Sequence, residues 1–239
     1  MSFGFRRMSR NIREAITSAL HRNVILLAST GNYGNLQSIQ YPAKANRVFK
    51  IFATNHNGYM DDISPPMEDP RYTFGALGRA IESIWPTTLC DTPASKGLDI
   101  TSKTKQNPAN GRSGKPSDAN DIDLGKWTVM SGTSFSTPII AALVAIIYQF
   151  YDSNKEKVNL NEHSGGLKQI DAVRAILEQM SRTSENHKYN CLEPSRGRGN
   201  FFEFEPAKRS GKVVVDRKGR TRVDHFAEKL EEAIEMADV

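Results

Sequence analysis

Two short stretches of this sequence carry side chains whose type and spacing could do chemistry. The first is Ser131-Gly132-Thr133-Ser134-Phe135-Ser136-Thr137-Pro138, which runs straight into an apolar segment ending at Tyr151. A glycine there permits a tight turn and the close approach of a ligand. Ser134 then stands at a helix start, where unpaired N–H groups and the helix dipole favour developing negative charge. A nucleophilic hydroxyl in that place has its own backbone N–H as an oxyanion donor. An arbitrary serine before a helix is ordinarily only its N-cap. The second stretch is Val24 to Gly34, VILLASTGNYG, an apolar run that closes on Gly31-Asn32. Taken alone, Gly-Asn after a strand marks a turn.

The elements that must position these residues follow from hydrophobic periodicity. Ile12, Ala15, Ile16, Ala19 and Leu20 predict an amphipathic helix over 11–21, with Asn11 and Glu14 as its N-cap pair. Val24–Thr30 and Val48–Thr54 read as strands buried on both faces, the signature of a parallel sheet and an α/β fold. Residues 55–88 carry many turn-formers, and Phe74–Trp85 has room for one more short strand. Residues 89–125 are polar without apolar periodicity and read as an exposed insertion. Residues 134–151 predict a helix apolar nearly all round, buried on all sides, with Pro138 tolerated in its first turn. Leu167–Met180 predicts a second amphipathic helix after the Gly165-Gly166 break. After Pro194 a basic stretch with a possible hairpin in VVVDRKGRTRV is followed by an acidic, helix-prone end. Residues 195–239 therefore read as a charged, solvated tail.

Bulk composition narrows the function classes. A chain of 239 residues buries a core without disulfides or metal. Its 32 Lys+Arg against 27 Asp+Glu give a net charge of +5, too small an excess to indicate a nucleic-acid binder. The basic stretch 196–222 has Phe201, Phe202 and Phe204 nearby but no recognised nucleic-acid motif. Cys90 and Cys191 are too few for a disulfide scaffold, lack partners at metal spacing, and fit a reducing compartment. Asp61, Asp62, Glu68 and Asp69 match no calcium-loop pattern and read as a solvated acidic loop. The longest apolar run, Ile139–Ile147, is half of the ~20 residues a membrane span requires. With no secretory signal at MSFGFRRMSRN, the expectation is a cytoplasmic chain with no membrane contact, no metal and no cofactor.

Set beside each other, the two chemical stretches resemble the subtilisin-like serine proteases. GTSFSTP before an apolar helix is similar to that family's nucleophile motif, Gly-Thr-Ser-(Met/Phe)-(Ala/Ser)-x-Pro, and VILLASTGNYGN to its buried strand ending in Ala-Ala-Gly-Asn. Met1-Ser2-Phe3-Gly4-Phe5 resembles the Met-Ser-Leu-Gly strand end, and Tyr41-Pro42-Ala43 the Tyr-Pro-Ala segment. Ala76-Leu77-Gly78 stands where the family has Ala-Pro-Gly, a departure at the leucine. SPPMEDP and ESIWP look closest to fungal intracellular members. The resemblance implies peptide-bond hydrolysis through an acyl-enzyme, with Ser134 as nucleophile and the Asn32 amide as oxyanion donor. It further implies a cleft lined by Ser2, Phe3 and Gly4 on one side and Ala28, Ser29, Thr30 and Gly31 on the other, which takes a peptide or protein substrate.

The family's order is Asp, His, Asn, Ser, yet only His21 and no aspartate precede Asn32 here. His56, His163, His187 and His225 have no matching context. Residues 1–194 are thus expected to be the C-terminal portion of a peptidase domain whose parallel sheet is N-terminally incomplete. The competing expectation is a pseudoprotease or truncated product that binds peptides without turnover. The oligomeric state is left open.

Overall fold

The computed structural model describes residues 1–85, 126–158, 169–183, 189–210 and 213–236. Strand β2 (Phe49–Thr54) shows why these residues make a sheet: all six are buried. Side chains alternate across a strand, so each face needs its own cover. Phe49 and Ile51 pack with Leu27, Phe74, Ala76, Ile140, Val144, Val173 and Leu177. Val48 and Phe52 pack with Ile16, Ala28, Ile39 and Ala43 on the other side. Helix α1 (Arg10–His21) supplies Ile16. Helices α2 (Thr133–Ser153) and α3 (Ile170–Gln179) supply the opposite cluster. The sheet is therefore sandwiched between helices, as an α/β fold with buried parallel strands requires.

That sheet has five strands in the order β1 (Leu27–Ser29), β2, β3 (Thr73–Leu77), β7 (Asn190–Leu192), β6 (Ser181–Thr183). The β1–β2, β2–β3 and β3–β7 pairs are parallel, with Ser29 opposite Ile51 and Phe52 opposite Gly75, whereas β6 is antiparallel to β7. Residue 1 adds to the outer edge of β1. The Met1 amine donates to Leu27 O at 2.6 Å, and Ser29 N–H donates to Met1 O at 3.0 Å. Lys50, inside β2, is buried; its Nζ donates to Arg71 O at 3.0 Å, and burial pulls its pKa down.

A second compact unit comprises residues 79–131. Its described part is a pair of antiparallel strands, β4 (Ile81–Trp85) and β5 (Lys126–Met130), with Ala80 N–H donating to Ser131 Oγ at 2.9 Å. The single strand expected in Phe74–Trp85 is thus two, β3 and β4. The polar insertion expected at 89–125, and Cys90 within it, lie outside the described residues.

Helix α2 differs from expectation in three ways. It is buried on one face only: Ile140, Val144 and Ile147 are inside, while Ile139 and Ile146 are 42% and 59% exposed. Composition shows that a helix is apolar, not which neighbours cover it. At 21 residues it is also long and apolar enough to cross a membrane by length and composition, although its longest unbroken apolar run is short. Finally, because α2 starts at Thr133, Pro138 is its sixth residue and not part of the first turn. A proline there cannot donate to the carbonyl of Ser134.

The expectation of a solvated tail does not hold at α4 (Arg222–Glu235). Its residues Leu230, Ala233 and Ile234 pack with Ile147, Ala172, Ile176, Met180 and Phe201. Thr221 caps the helix in a capping box with Asp224. Between α3 and α4 a short hairpin pairs β8 (Lys208–Ser210) with β9 (Val213–Val215). Elsewhere the corrections are local. The cap of α1 is Ser9, whose Oγ accepts from Ile12 N–H, and not Asn11. Asp61 is buried and accepts from Ile63 N–H at 3.2 Å, so it is not part of a solvated loop. Cys191 is buried as well, and burial pushes its thiol up to about 11.

Two stability predictions follow from α4. Leu230→Ala should cost about 2–5 kcal/mol of unfolding free energy. A urea titration checks this; a midpoint equal to wild type would mean that α4 lies outside the cooperative core. Asp224 is held down to about 2 by its bond to Lys157 Nζ and by the Thr221 donors. A carboxylate depressed in the fold adds stability above the unfolded value of roughly 4, and loses it as pH falls through the folded value. The destabilisation by Asp224→Asn should therefore be full at pH 6 and shrink toward pH 2; a pH-independent difference would contradict it.

Candidate active site

The end of β1 and the start of α2 meet through one set of hydrogen bonds. Gly31 sits at φ +108°, a conformation that favours glycine, and turns the chain out of the sheet. Its N–H donates to Thr133 Oγ1 at 3.3 Å. The next residue, Asn32, accepts at Oδ1 from Thr133 N–H at 2.8 Å and from Thr133 Oγ1–H at 3.0 Å. A backbone N–H can only donate, so this contact fixes which end of the Asn32 amide is oxygen. The Nδ2 end must then face the other way. It faces Gly132, where an added Cβ would stand 3.0 Å from Nδ2 and crowd the amide. Asn32 thereby also satisfies the first unpaired N–H of α2.

Ser134 does not cap α2. The N-cap is Gly132, and Ser134 is the second helical residue. Its N–H is among the first-turn donors that have no carbonyl one turn back. The half-buried Ser134 side chain donates from Oγ to Ser2 O at 3.2 Å. In return, Ser2 Oγ donates to Ser134 O at 3.0 Å. That carbonyl is the one Pro138 leaves unserved, so the proline and the Ser2 contact are a single arrangement. Deeper in, Ser136 Oγ donates to Ala76 O at 2.9 Å and Thr137 Oγ1 to Thr133 O at 2.8 Å, pinning the first turns of α2.

The other residues singled out in the sequence divide into two groups. Ser2 and Phe3 are exposed and Gly4 half-buried. Among the described residues, the backbone of Phe3 and Gly4 makes no hydrogen bond, whereas Phe5 pairs with Tyr41 in both directions, at 2.7 and 2.9 Å. Ala28, Ser29 and Thr30, in contrast, are fully buried. Thr30 spends both its N–H and its hydroxyl on Ile51 O. As surfaces facing a ligand these three are corrected: only Gly31, at the end of that segment, is partly exposed.

The histidines lie elsewhere. His21 is exposed at the end of α1, His56 is exposed, and the buried His225 bonds Asn200 O at 3.0 Å. His163 and His187 lie outside the described residues. Among the described residues, no imidazole is a hydrogen-bond partner of Ser134. Sequence reasoning treated Thr133 only as part of a motif and missed its bridging role. It missed Gln40 as well, whose side chain lies against Gly4 and Gly31.

Comparison with known proteins gives this geometry a context. Among solved structures, the fold is similar to the prenylagaramide maturation protease PagA, with 17% identity and a TM-score of 0.50 over 98% of this chain and 60% of that one. It is equally similar to the patellamide maturation protease PatA, with 16% identity and a TM-score of 0.50 over 99% and 62%. In sequence it is 24% identical over 165 residues to a thermostable alkaline protease of Halalkalibacterium halodurans, covering 68% of this chain and 35% of that protein. It is 31% identical over 85 residues to the minor extracellular protease Epr of Bacillus subtilis, covering 36% of this chain and 13% of that protein. The chain thus spans about a third or less of the length of these two relatives. The subtilase family model (peptidase S8) matches residues 1–199, most of the chain, and the chain belongs to that family of serine peptidases.

Proposed function

We propose that this chain carries the nucleophile and oxyanion side of a serine endopeptidase site, the C-terminal portion of a subtilase domain. Ser134 attacks the scissile carbonyl, and Asn32 Nδ2 with the Ser134 N–H holds the oxyanion. The observation that carries this reading is the fixed aim of the Asn32 amide. A donor oriented before reaction costs no reorganisation as charge develops. In subtilisin, whose asparagine is the worked example of this effect, losing such a donor lowers kcat by about 10²–10³. The unpaired backbone at Phe3 and Gly4 supports a substrate bound as an added strand.

A serine hydroxyl is a weak nucleophile until a base takes its proton. Here the hydroxyl rests on the Ser2 carbonyl, which cannot serve as that base. In this reading the histidine and aspartate come from polypeptide outside residues 1–239. Alone, the chain binds peptides and turns them over negligibly; in subtilisin, loss of the histidine or the serine costs about 10⁶ in kcat. A peptide-binding module without turnover is the second reading, and the Ser134–Ser2 contact favours it for the isolated chain.

Peptide boronic acids separate the parts of this account, because their tetrahedral adduct places an oxygen where the oxyanion would be. The 239-residue chain should form the adduct on Ser134, visible by boron NMR, and Ser134→Ala should not. Asn32→Leu should weaken it at least about 10-fold, and Thr133→Val, which removes one of the two donors to Oδ1, about 5-fold. Equal affinity in Asn32→Leu would contradict the oxyanion assignment. Fluorophosphonate labelling of Ser134 should be slow; rapid labelling would show that a base is already present.

A further inference from the structure

The chain from Asn200 onward, past the subtilase match, packs back onto α2 and leaves an apolar recess of about 460 Å³. Helix α2 contributes the exposed Ile146 and the half-buried Phe150, the 201–204 segment contributes Phe202 and Phe204, and the start of α4 contributes Val223 and Phe226. These walls are set without a ligand. Phe226 is the hub of an aromatic cluster, its ring centroid 4.6 Å from Phe150, 5.3 Å from Phe201 and 5.7 Å from Phe202. Phe201 and Ile147, which also line the recess, are buried in the core cluster that holds α4. His225 Nε2 bonds Asn200 O at 3.0 Å and so ties α4 to the chain entering the 201–204 segment.

The charged and titratable groups of the recess are few and of one kind. Arg222 and His225 line it, and no carboxylate does. The exposed Arg222 guanidinium lies over the Phe204 ring, 5.7 Å from its centroid, and among the described residues it has no carboxylate partner and donates no hydrogen bond. The nearby Arg220, in contrast, is paired with both Asp216 and Glu228.

A recess of this volume falls within the range of about 300–1,000 Å³ that small-molecule sites occupy, mostly apolar with a few polar groups that fix orientation. Hydrocarbon walls cannot satisfy the amides of a peptide backbone, and burying those amides unpaired is costly. The chemistry therefore suits a body without internal polar groups. The unpaired guanidinium suits an anionic head, and its planar fork matches a carboxylate. We propose that the recess between α2, the 201–204 segment and α4 binds an alkyl carboxylate of the fatty-acid type, its chain against the phenylalanines and its head on Arg222. The recess shares no wall with Asn32 or Ser134, so the proposal stands independently of the cleft reading.

Isothermal titration calorimetry of the 239-residue chain with dodecanoate, kept below its micelle concentration, tests this. Wild type should bind a single equivalent. Dodecyltrimethylammonium, with the same chain and the opposite charge, should bind at least about 10-fold more weakly. Arg222→Gln should weaken dodecanoate about 10-fold. Ile146→Glu, which sets a carboxylate among the apolar walls, should weaken it at least about 10-fold. Both side chains are exposed, so the fold tolerates the changes, and an unaltered urea midpoint checks that. No saturable binding to wild type, equal affinity for the two alkyl ions, or wild-type affinity in either variant would overturn the proposal. So would a concentration-dependent dimer that Ile146→Glu dissolves, because a second copy would then fill the recess. Sedimentation with phosphatidylglycerol vesicles that Ile146→Glu abolishes, without one-to-one dodecanoate binding, would overturn it in favour of a lipid surface.

Discussion

The site depends on one tie: the hydrogen bonds from Thr133 to the Asn32 side chain, which join residues 101 positions apart. They do three things together. They satisfy the first N–H of α2, they fix the amide's orientation, and they bring the end of β1 beside Ser134. An asparagine freed from Thr133 could turn either end of its amide toward Gly132, and only the Nδ2 end can donate a hydrogen bond. The two glycines beside this tie serve it. Gly31 permits the turn that brings Asn32 over, and the missing side chain of Gly132 leaves space for Nδ2.

The rest of the fold holds the two ends of that tie still. β1 is fixed by its register with β2, and β2 is buried along its whole length. α2 is fixed by Ile140 and Val144 against the sheet and by the bond from Ser136 to Ala76. Asn32 itself lies in the turn after β1, and an amide tied to such elements can be preorganised in a way that one on a mobile loop cannot. Behind α2, α3 and α4 pack on Ile147, and α3 also reaches the sheet directly through Val173 and Leu177.

What the sequence made legible was local. Strand β2, helix α1 and the serine motif each lie within one short window, and hydrophobic period or residue order is enough to find them. The Thr133–Asn32 tie and the placement of Gln40 between two glycines join distant windows, which no periodicity reports. Helix α4 was hidden for a different reason. Its acidic residues suggested a solvated tail, but Phe226, Leu230, Ala233 and Ile234 lie at helical spacing, and that apolar stripe meets Met180 and Phe201. Net charge describes a segment's outer face, whereas burial depends on its inner one. For α2 the error ran the other way: an overall apolar composition suggested burial all round, while Ile139 and Ile146 stand in the open.

The central claim is that the Asn32 amide is locked with Nδ2 toward Gly132 before any ligand arrives. Nuclear Overhauser contacts from the Asn32 side-chain NH₂ protons in the ligand-free, isotope-labelled chain test it most directly. The account predicts strong contacts to a Gly132 Hα and two well-separated, slowly exchanging amide proton signals. Contacts from the NH₂ protons to the Thr133 amide instead, or an averaged signal without contacts, would contradict it.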